Sequence, residues 1–307
     1  MKLPFRVNDI LLIVVVLSTM MVSVIYPDFG ALFGALPVYC LIVLFFLSYL
    51  SIELHAVWQE LKNRPREILS FIILKSAILP VILFFIFDHL APAYALSALL
   101  LTGVSTGVVA TFISNLVKGN SSLVLVVVVI TSAMAPITLP VLIQLVAAKQ
   151  VEISTFEMIR MLALVIFVPI LAVEFLRRIG HNLLKPLMKY QFPISLVMMG
   201  IVNLGVFYRY APFFKKDPHT IIMACVIAIL LSAIYCIIGI LFFRKSSIEN
   251  QLAGAVMFGN MNNVLVIVFS SQFFGPVEPL VAAMYIIPFF GLIIPLRYYR
   301  HRKTQSP

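Results

Sequence analysis

Long apolar runs separated by short polar breaks dominate the chain. The breaks divide it into ten candidate spans, at about residues 9–26, 31–52, 66–87, 94–117, 121–147, 157–176, 191–208, 219–243, 250–274 and 277–297. A helix needs about 20 apolar residues to cross a bilayer. A segment surrounded by lipid must satisfy its own backbone hydrogen bonds, so all ten are read as helices. The β-branched stretch LVLVVVVI (123–130) does not alter this, because it lacks the alternation and frequent turns of a membrane barrel.

Composition agrees with the pattern. Of the 307 residues, 62% are hydrophobic and 11% charged, with a mean hydropathy of +1.10. A soluble domain carries roughly 25% charge, and a disordered chain combines low hydrophobicity with high net charge. Both classes are excluded. Ten spans leave almost no room for a fused receptor, kinase or nucleotide-hydrolysing module. The net charge of +10 is read as the basic loops of a membrane protein, not as a nucleic-acid surface. Cys40, Cys225 and Cys236 lie in apolar stretches without CxxC spacing, so neither a disulfide framework nor a zinc site is expected. No phosphate-binding loop or HExxH motif is present, and no cofactor is expected. Lys2 and Arg6 precede an apolar run that reaches Tyr26 without an AxA-like cleavage site, so this is read as an uncleaved first span.

Lys and Arg set the orientation. With the amino terminus inside, the inner segments carry sixteen of them and the outer loops and span ends five, leaving Lys75 inside a span. This bias places both termini in the cytoplasm, which requires an even number of spans. The expected location is the plasma (cytoplasmic) membrane, as a multi-pass protein in the lipid bilayer with no obligate protein partner evident.

A shift of 156 residues lays LSALLLTG (96–103) over LAGAVMFG (252–259), and pairs Gly103 with Gly259, Ser114 with Ser270 and Gly119 with Gly275. The chain then reads as a single transmembrane domain of two five-helix repeats, 1–150 and 151–307. An odd number of spans per repeat gives the halves opposite orientation, a signature of secondary transporters with a site near the midplane. The repeat also marks two unusual spans. Span 4 contains TGVSTGVVATFISN (102–115), and span 9 contains FGNMNNVLVIVFSS (258–271), with Asn260, Asn262 and Asn263 within four residues. Polar residues often bond neighbouring helices. The asparagine cluster fits better where a helix breaks and its freed backbone groups line a cavity. The candidate cavity residues are Gly107, Thr111, Gly259, Asn260, Asn262 and Asn263.

These residues carry a resemblance. GVVATFISNLVKGN (107–120), SAMAPITLP (132–140) and GNMNN (259–263) are similar to the fourth, fifth and ninth spans of the bile acid:sodium symporter family. The resemblance implies an all-α fold of ten transmembrane helices. Spans 1, 2, 6 and 7 would form a panel, and spans 3, 4, 5, 8, 9 and 10 a core in which broken spans 4 and 9 cross. Substrate would bind between them, and rocking would alternate its access. Family members carry organic anions such as bile acids, pantothenate, keto acids or sulfated steroids, driven by sodium. The sequence departs from that pattern at the sodium ligands. The family's Ser-Asn pair in span 4 falls on Ala110 and Thr111, its span 5 hydroxyls on Val124 and Val128, its glutamate on Phe258 and its following glutamine on Asn262. Sodium coupling of the family's type is therefore not expected.

Lys75 adds to this. It lies about 13 Å into a hydrocarbon core about 30 Å thick. A lone lysine there costs about 2.5–3.5 kcal/mol on insertion scales. In the family pattern a glutamine five residues before a span 3 proline helps hold a second sodium, and Lys75 stands five before Pro80. Its ammonium is expected to take that sodium's place, donating to Asn262 and to crossover carbonyls. A structural lysine paired with a carbonyl or lining water is the alternative. Burial disfavours the charged form, which opens a route to proton coupling.

Other residues are more ordinary. Glu53 and His55 suit a solvated interface, and Glu174 lies at helical spacing for an ion pair with Arg177 or Arg178. Asn203 in span 7 either faces substrate as a panel contact or bonds a neighbouring helix. Pro80, Pro136, Pro140, Pro169 and Pro288 are expected to kink helices. The functional reading is a secondary transporter of a small organic anion, sodium-independent, with proton coupling through Lys75 as an option. The alternatives are a sodium-coupled organic anion or bile acid symporter and, more remotely, a polytopic membrane enzyme. An enzyme needs paired acids, a metal cluster or an activated nucleophile, and no DxxD pair, paired His or GxSxG is present.

The orientation can be tested directly. Cysteines introduced at 62–66 and 181–189 should be protected from an impermeant reagent in intact cells, and those at 148–155 and 211–217 should be labelled. The reverse pattern, or labelling of both sets, overturns the ten-span topology.

Overall fold

The computed structural model describes residues 7–50, 52, 54–147, 154–179 and 184–305. Lys2, Arg6, Glu53, Lys149 and His181 lie outside the described residues, as do the side chains of His55 and Lys185. The described chain is helical throughout, and its single β-bridge pairs Thr106 with Met261.

Six helices are long and apolar enough to cross a membrane: Pro65–Leu90, Ser121–Val146, Thr155–Ile179, Gln191–Lys216, His219–Phe242 and Val277–Thr304. Shorter apolar helices cover Ile10–Ile25, Pro37–Tyr49, Pro92–Gly103 and Asn263–Phe273. The helices used below are α1 (Val7–Ile25), α2 (Pro37–Tyr49), α3 (Pro65–Leu90), α4 (Ala95–Gly103), α5 (Val109–Val117), α6 (Ser121–Val146) and α7 (Thr155–Ile179). They continue as α8 (Gln191–Phe207), α9 (His219–Phe242), α10 (Ile248–Gly259), α11 (Asn263–Phe273), α12 (Val277–Met284), α13 (Ile286–Gly291) and α14 (Ile293–Gln305).

Two sets of helices can be followed through the packing, joined where α7 of the first lies on α6 of the second. In one, α1 packs on α8, α8 on α2, and α2 on α7. In the other, α3 packs on α4, α9 on α10 and α12, and α6 on α5 and α10. Outward faces of both groups are apolar. Leu171 and Phe175 on α7 and Ile222 and Ile237 on α9 are all exposed, as expected where the neighbour is lipid and not water.

Prolines act unevenly. Pro80 has no N–H to give Ser76, and α3 widens there into a π-turn over Leu74–Ile78. Pro136, Pro140 and Pro169 sit inside helices that run on through them. Pro288 lies where the last span divides into α12, α13 and α14. The second span begins later than the apolar run does. Pro27–Ala31 forms a separate short helix, and α2 starts only at Pro37. Glu174 and Arg177 pair at 2.9 Å, as their spacing predicts. Arg177 also donates to the carbonyls of Tyr49, Leu50 and Ile52, which closes the end of α2.

The tightest packing joins α9 to α10. A Cβ on Gly239 would collide with the Gly254 carbonyl, and one on Gly254 with that of Gly239. Gly239→Val should therefore lower the thermal unfolding midpoint, by on the order of 1–3 kcal/mol of overpacking or more. Gly291→Ala is the control, because no atom lies within 4 Å of its would-be Cβ; it should change stability by less than about 0.5 kcal/mol.

Candidate functional site

Spans 4 and 9 are interrupted, and the interruptions meet. After α4 the chain runs extended from Val104 and re-enters helix at Val109; after α10 it crosses Asn260–Asn262 and re-enters at Asn263. The two short segments lie antiparallel. Gly107 N donates to Asn260 O and Asn262 N to Ser105 O, both at 2.9 Å, on either side of the Thr106–Met261 bridge. A Cβ on Gly107 would stand 3.1 Å from the Met261 carbonyl oxygen, so glycine permits this approach.

Side chains satisfy the rest of the freed backbone. Thr131 Oγ1 accepts from Thr106 N at 3.1 Å, and Thr106 Oγ1 donates to Met257 O at 2.8 Å. Tyr285 Oη donates to Gly259 O at 2.9 Å. Asn262 Oδ1 accepts from Leu265 N, so this asparagine caps α11. Asn260 is fully buried; its Nδ2 donates to Phe289 O at 2.8 Å, and its Oδ1 has no partner among the described residues.

A cavity of about 130 Å³ lies against the crossover. On one side are the first turns of α5 and α11, with Gly107, Val109, Asn262 and Asn263 among the lining residues. On the other are Leu12 of α1, Phe45 and Ser48 of α2, and Ser195 and Met199 of α8. No charged side chain is among the lining residues. Two helix N-termini thus open onto a largely apolar chamber, and each presents a partial positive charge.

Lys75 sits behind this chamber, on the π-turn of α3, with no exposed surface. Its Nζ donates to Thr102 O, among the last carbonyls of α4, at 3.4 Å, and stands 5.7 Å above the Phe258 ring. Among the described residues it is in no ion pair. The expected carbonyl contact is present; the expected bond to Asn262 is not, because that side chain is engaged with Leu265 N. Thr102 Oγ1 meets Tyr235 Oη at 2.7 Å, a fully buried hydroxyl pair.

The predicted site residues divide. Gly107, Asn262 and Asn263 line the cavity. Gly259 and Asn260 lie behind it as parts of the crossover scaffold. Thr111 is not a lining residue, and its hydroxyl bonds back to Val108 O at 2.8 Å. Asn203 is fully buried, and its Nδ2 donates to Met199 O within its own helix. Ser48, Ser195 and Met199 line the chamber but carry no signal of their own in the sequence, since they are ordinary residues of helical spans. Tyr285 and Thr131 reach the crossover only through tertiary packing.

Four of the six positions where the resemblance would put sodium ligands are packed with carbon, while Thr111 and Asn262 keep polar side chains. Ala110, Val124 and Val128 are fully buried, and Phe258 is 1% exposed. The Phe258 ring stands 4.7 Å from that of Phe71, which also touches Phe242 and Phe243.

Two interrupted helices that meet beside a cavity are an arrangement that recurs among multi-pass membrane proteins built around broken spans. The chain belongs to the Sodium Bile acid symporter family, whose sequence pattern it matches over residues 38–216. It is 23% identical over 225 residues to the probable sodium/metabolite cotransporter BASS1, chloroplastic, of Arabidopsis thaliana, an alignment covering 72% of this chain and 55% of that protein. The chain thus matches little more than half of that relative's length.

Asn262→Ala should destabilise the protein by about 1 kcal/mol through loss of the α11 cap, while Asn262→Ser or Asn262→Asp should retain most of it. Thermal unfolding in detergent checks this; an unchanged midpoint for the alanine variant would exclude the capping role.

Proposed function

We propose that the protein is a secondary transporter of a small organic anion that works by alternating access. The observation that carries this is the pair of helix N-termini opening on an apolar chamber without a charged side chain. Dipoles and first-turn amides attract negative charge, and the apolar wall suits the carbon skeleton attached to it. A polytopic enzyme would need a reactive constellation in such a chamber, and Ser48, Ser195, Asn262 and Asn263 supply neither acid, base nor metal ligand set.

The proposed architecture is ten crossings in two inverted repeats, 1–150 and 151–307. Six long helices, two shorter ones and two interrupted pairs account for ten. The near-equivalence of the breaks, with Gly103 and Gly259 at the ends of α4 and α10, supports the duplication. The group α1, α2, α7 and α8 would be the panel and the remainder the core, with both termini on the cytoplasmic side of the plasma membrane. Asn203 then belongs to the panel interior, and Thr111 to the α5 framework.

Transport is proposed to be independent of sodium. Support comes from the apolar packing of Ala110, Val124, Val128 and Phe258 and from the ammonium of Lys75 at the carbonyl end of α4. That end carries partial negative charge, which a sodium or a lysine can neutralise. Release and recapture of the Lys75 proton would couple transport to protons. Sodium-driven transport is the second reading, favoured by the family and by the name of the Arabidopsis relative.

Uptake into proteoliposomes separates the two. Activity should be unchanged when potassium or choline replaces sodium, and should respond to a pH gradient. Lys75→Met should eliminate accumulation against a gradient while leaving the protein folded. Asn262→Leu and Asn263→Leu should lose uptake at near-normal expression. Strict sodium dependence, or full activity of Lys75→Met, refutes the sodium-free mechanism.

A further inference from the structure

The opposite end of α5 holds a second polar site. There the α5 C-terminus meets α14 in an open groove of about 580 Å³. Its floor is Leu116 and Val117, and Lys118, Arg297, Arg300 and His301 rim it. No carboxylate is among the lining residues, and none of the three permanent cations is in an ion pair among the described residues.

The cations are not equivalent. Arg297 is committed to structure, because Nε and Nη2 both donate to Leu116 O, at 3.3 and 3.2 Å, and close the end of α5. Arg300 has a spare donor: its Nη1 is shielded from solvent and has no hydrogen-bond partner among the described residues. A guanidinium N–H with no acceptor among the described residues, beside two more cations, is a setting that an anion would relieve. Lys118 closes the rim with φ at 58°, the one positive φ at a non-glycine among the described residues. Asparagine would adopt that conformation more readily.

We propose that this groove binds the phosphate headgroup of an anionic membrane phospholipid. The arginine fork fits phosphate oxygens, and the lysine adds a point charge. Leu116 and Val117 provide an apolar floor for the glycerol and first methylenes. Tyr298 on the same helix is exposed, with the Arg302 guanidinium 4.8 Å over its ring, an aromatic and basic edge of the kind found at headgroup level. The assignment rests on the orientation proposed above, which puts this end of the molecule at the inner leaflet, where anionic lipids attract basic segments. The bound lipid would tie α14 to the far end of a helix whose first turn lines the cavity. The nine residues of α5 span about 13 Å between the two.

The test uses the full chain in phosphatidylcholine nanodiscs titrated with phosphatidylglycerol, with inorganic phosphate as a parallel arm. Phosphatidylglycerol should raise the thermal midpoint saturably, and inorganic phosphate should not. Arg300→Gln and Lys118→Asn should each raise the half-saturating lipid fraction by about tenfold. Lys303→Gln, a charge on the same helix outside the groove, should leave it unchanged. Lys118→Asn keeps the left-handed turn, so it decides the matter if Arg300→Gln fails to fold. An equal shift with phosphatidylcholine alone, an equal shift with inorganic phosphate, or an undiminished response in the folded variants overturns the assignment. Transport is not the readout, so failure here leaves the transport reading standing.

Discussion

A backbone amide freed inside hydrocarbon has no water to turn to, and the centre of this molecule is organised by that constraint. Each interruption solves the other's problem. The amides of Gly107 and Asn262 find the carbonyls of Asn260 and Ser105, so neither break can persist without its partner. The exchange requires two strands of backbone to touch, which fixes Gly107, and it buries the side chains on either side, which fixes Thr106 and Asn260 in hydrogen bonds of their own. The polar groups of the crossover are thus paired with one another, with apolar packing beside them.

The crossover treats the two kinds of helix end differently. The carbonyl ends of α4 and α10 point into protein and are met by donors: Lys75 on Thr102, Tyr285 on Gly259 and Thr106 on Met257. The amide ends of α5 and α11 point the other way, toward the cavity. Partial negative charge is neutralised internally and partial positive charge is left facing the chamber. The selectivity proposed for this protein follows from that polarity of chain direction, without a cationic side chain in the cavity wall.

Much of the fold was legible because lipid imposes a length. Breaks in apolar sequence fell near the observed ends of α8 and α9, and the dense glycine, threonine and asparagine of 102–115 and 258–271 marked both interruptions. The second span was harder. Residues 31–36 are as apolar as the helix they precede, and only Pro37 at the first turn separates them. Gly107 and Asn262, both marked by the sequence, lie against the cavity, one through a close backbone approach and the other as a helix cap. At Thr111 and Asn203 the polar side chain bonds its own helix, a partner that sequence alone does not reveal. Tyr285, Thr131 and Ser195 were invisible because their roles are set by which helix packs opposite. The π-turn under Lys75 was likewise hidden, although Pro80 is its visible cause.

The proposed loss of sodium has an internal consistency in charge. In the pattern that the resemblance implies, two sodium ions and one glutamate give the occupied core a formal charge of +1. In the proposed alignment the glutamate position falls on Phe258 and four of the six sodium-ligand positions are apolar, while a protonated Lys75 would contribute +1 alone. Removing only the ions would have left a buried carboxylate uncompensated, which is strongly destabilising. Removing the carboxylate as well would have left the carbonyl end of α4 without a counter-charge. The aromatic cluster of Phe71, Phe242, Phe243 and Phe258 fills the space that oxygen ligands would need, and its quadrupole favours a cation over the ring face, where the Lys75 ammonium stands. On this reading the lysine and the phenylalanine are one substitution in two parts: the core keeps its charge, and the charge becomes covalently attached to the chain.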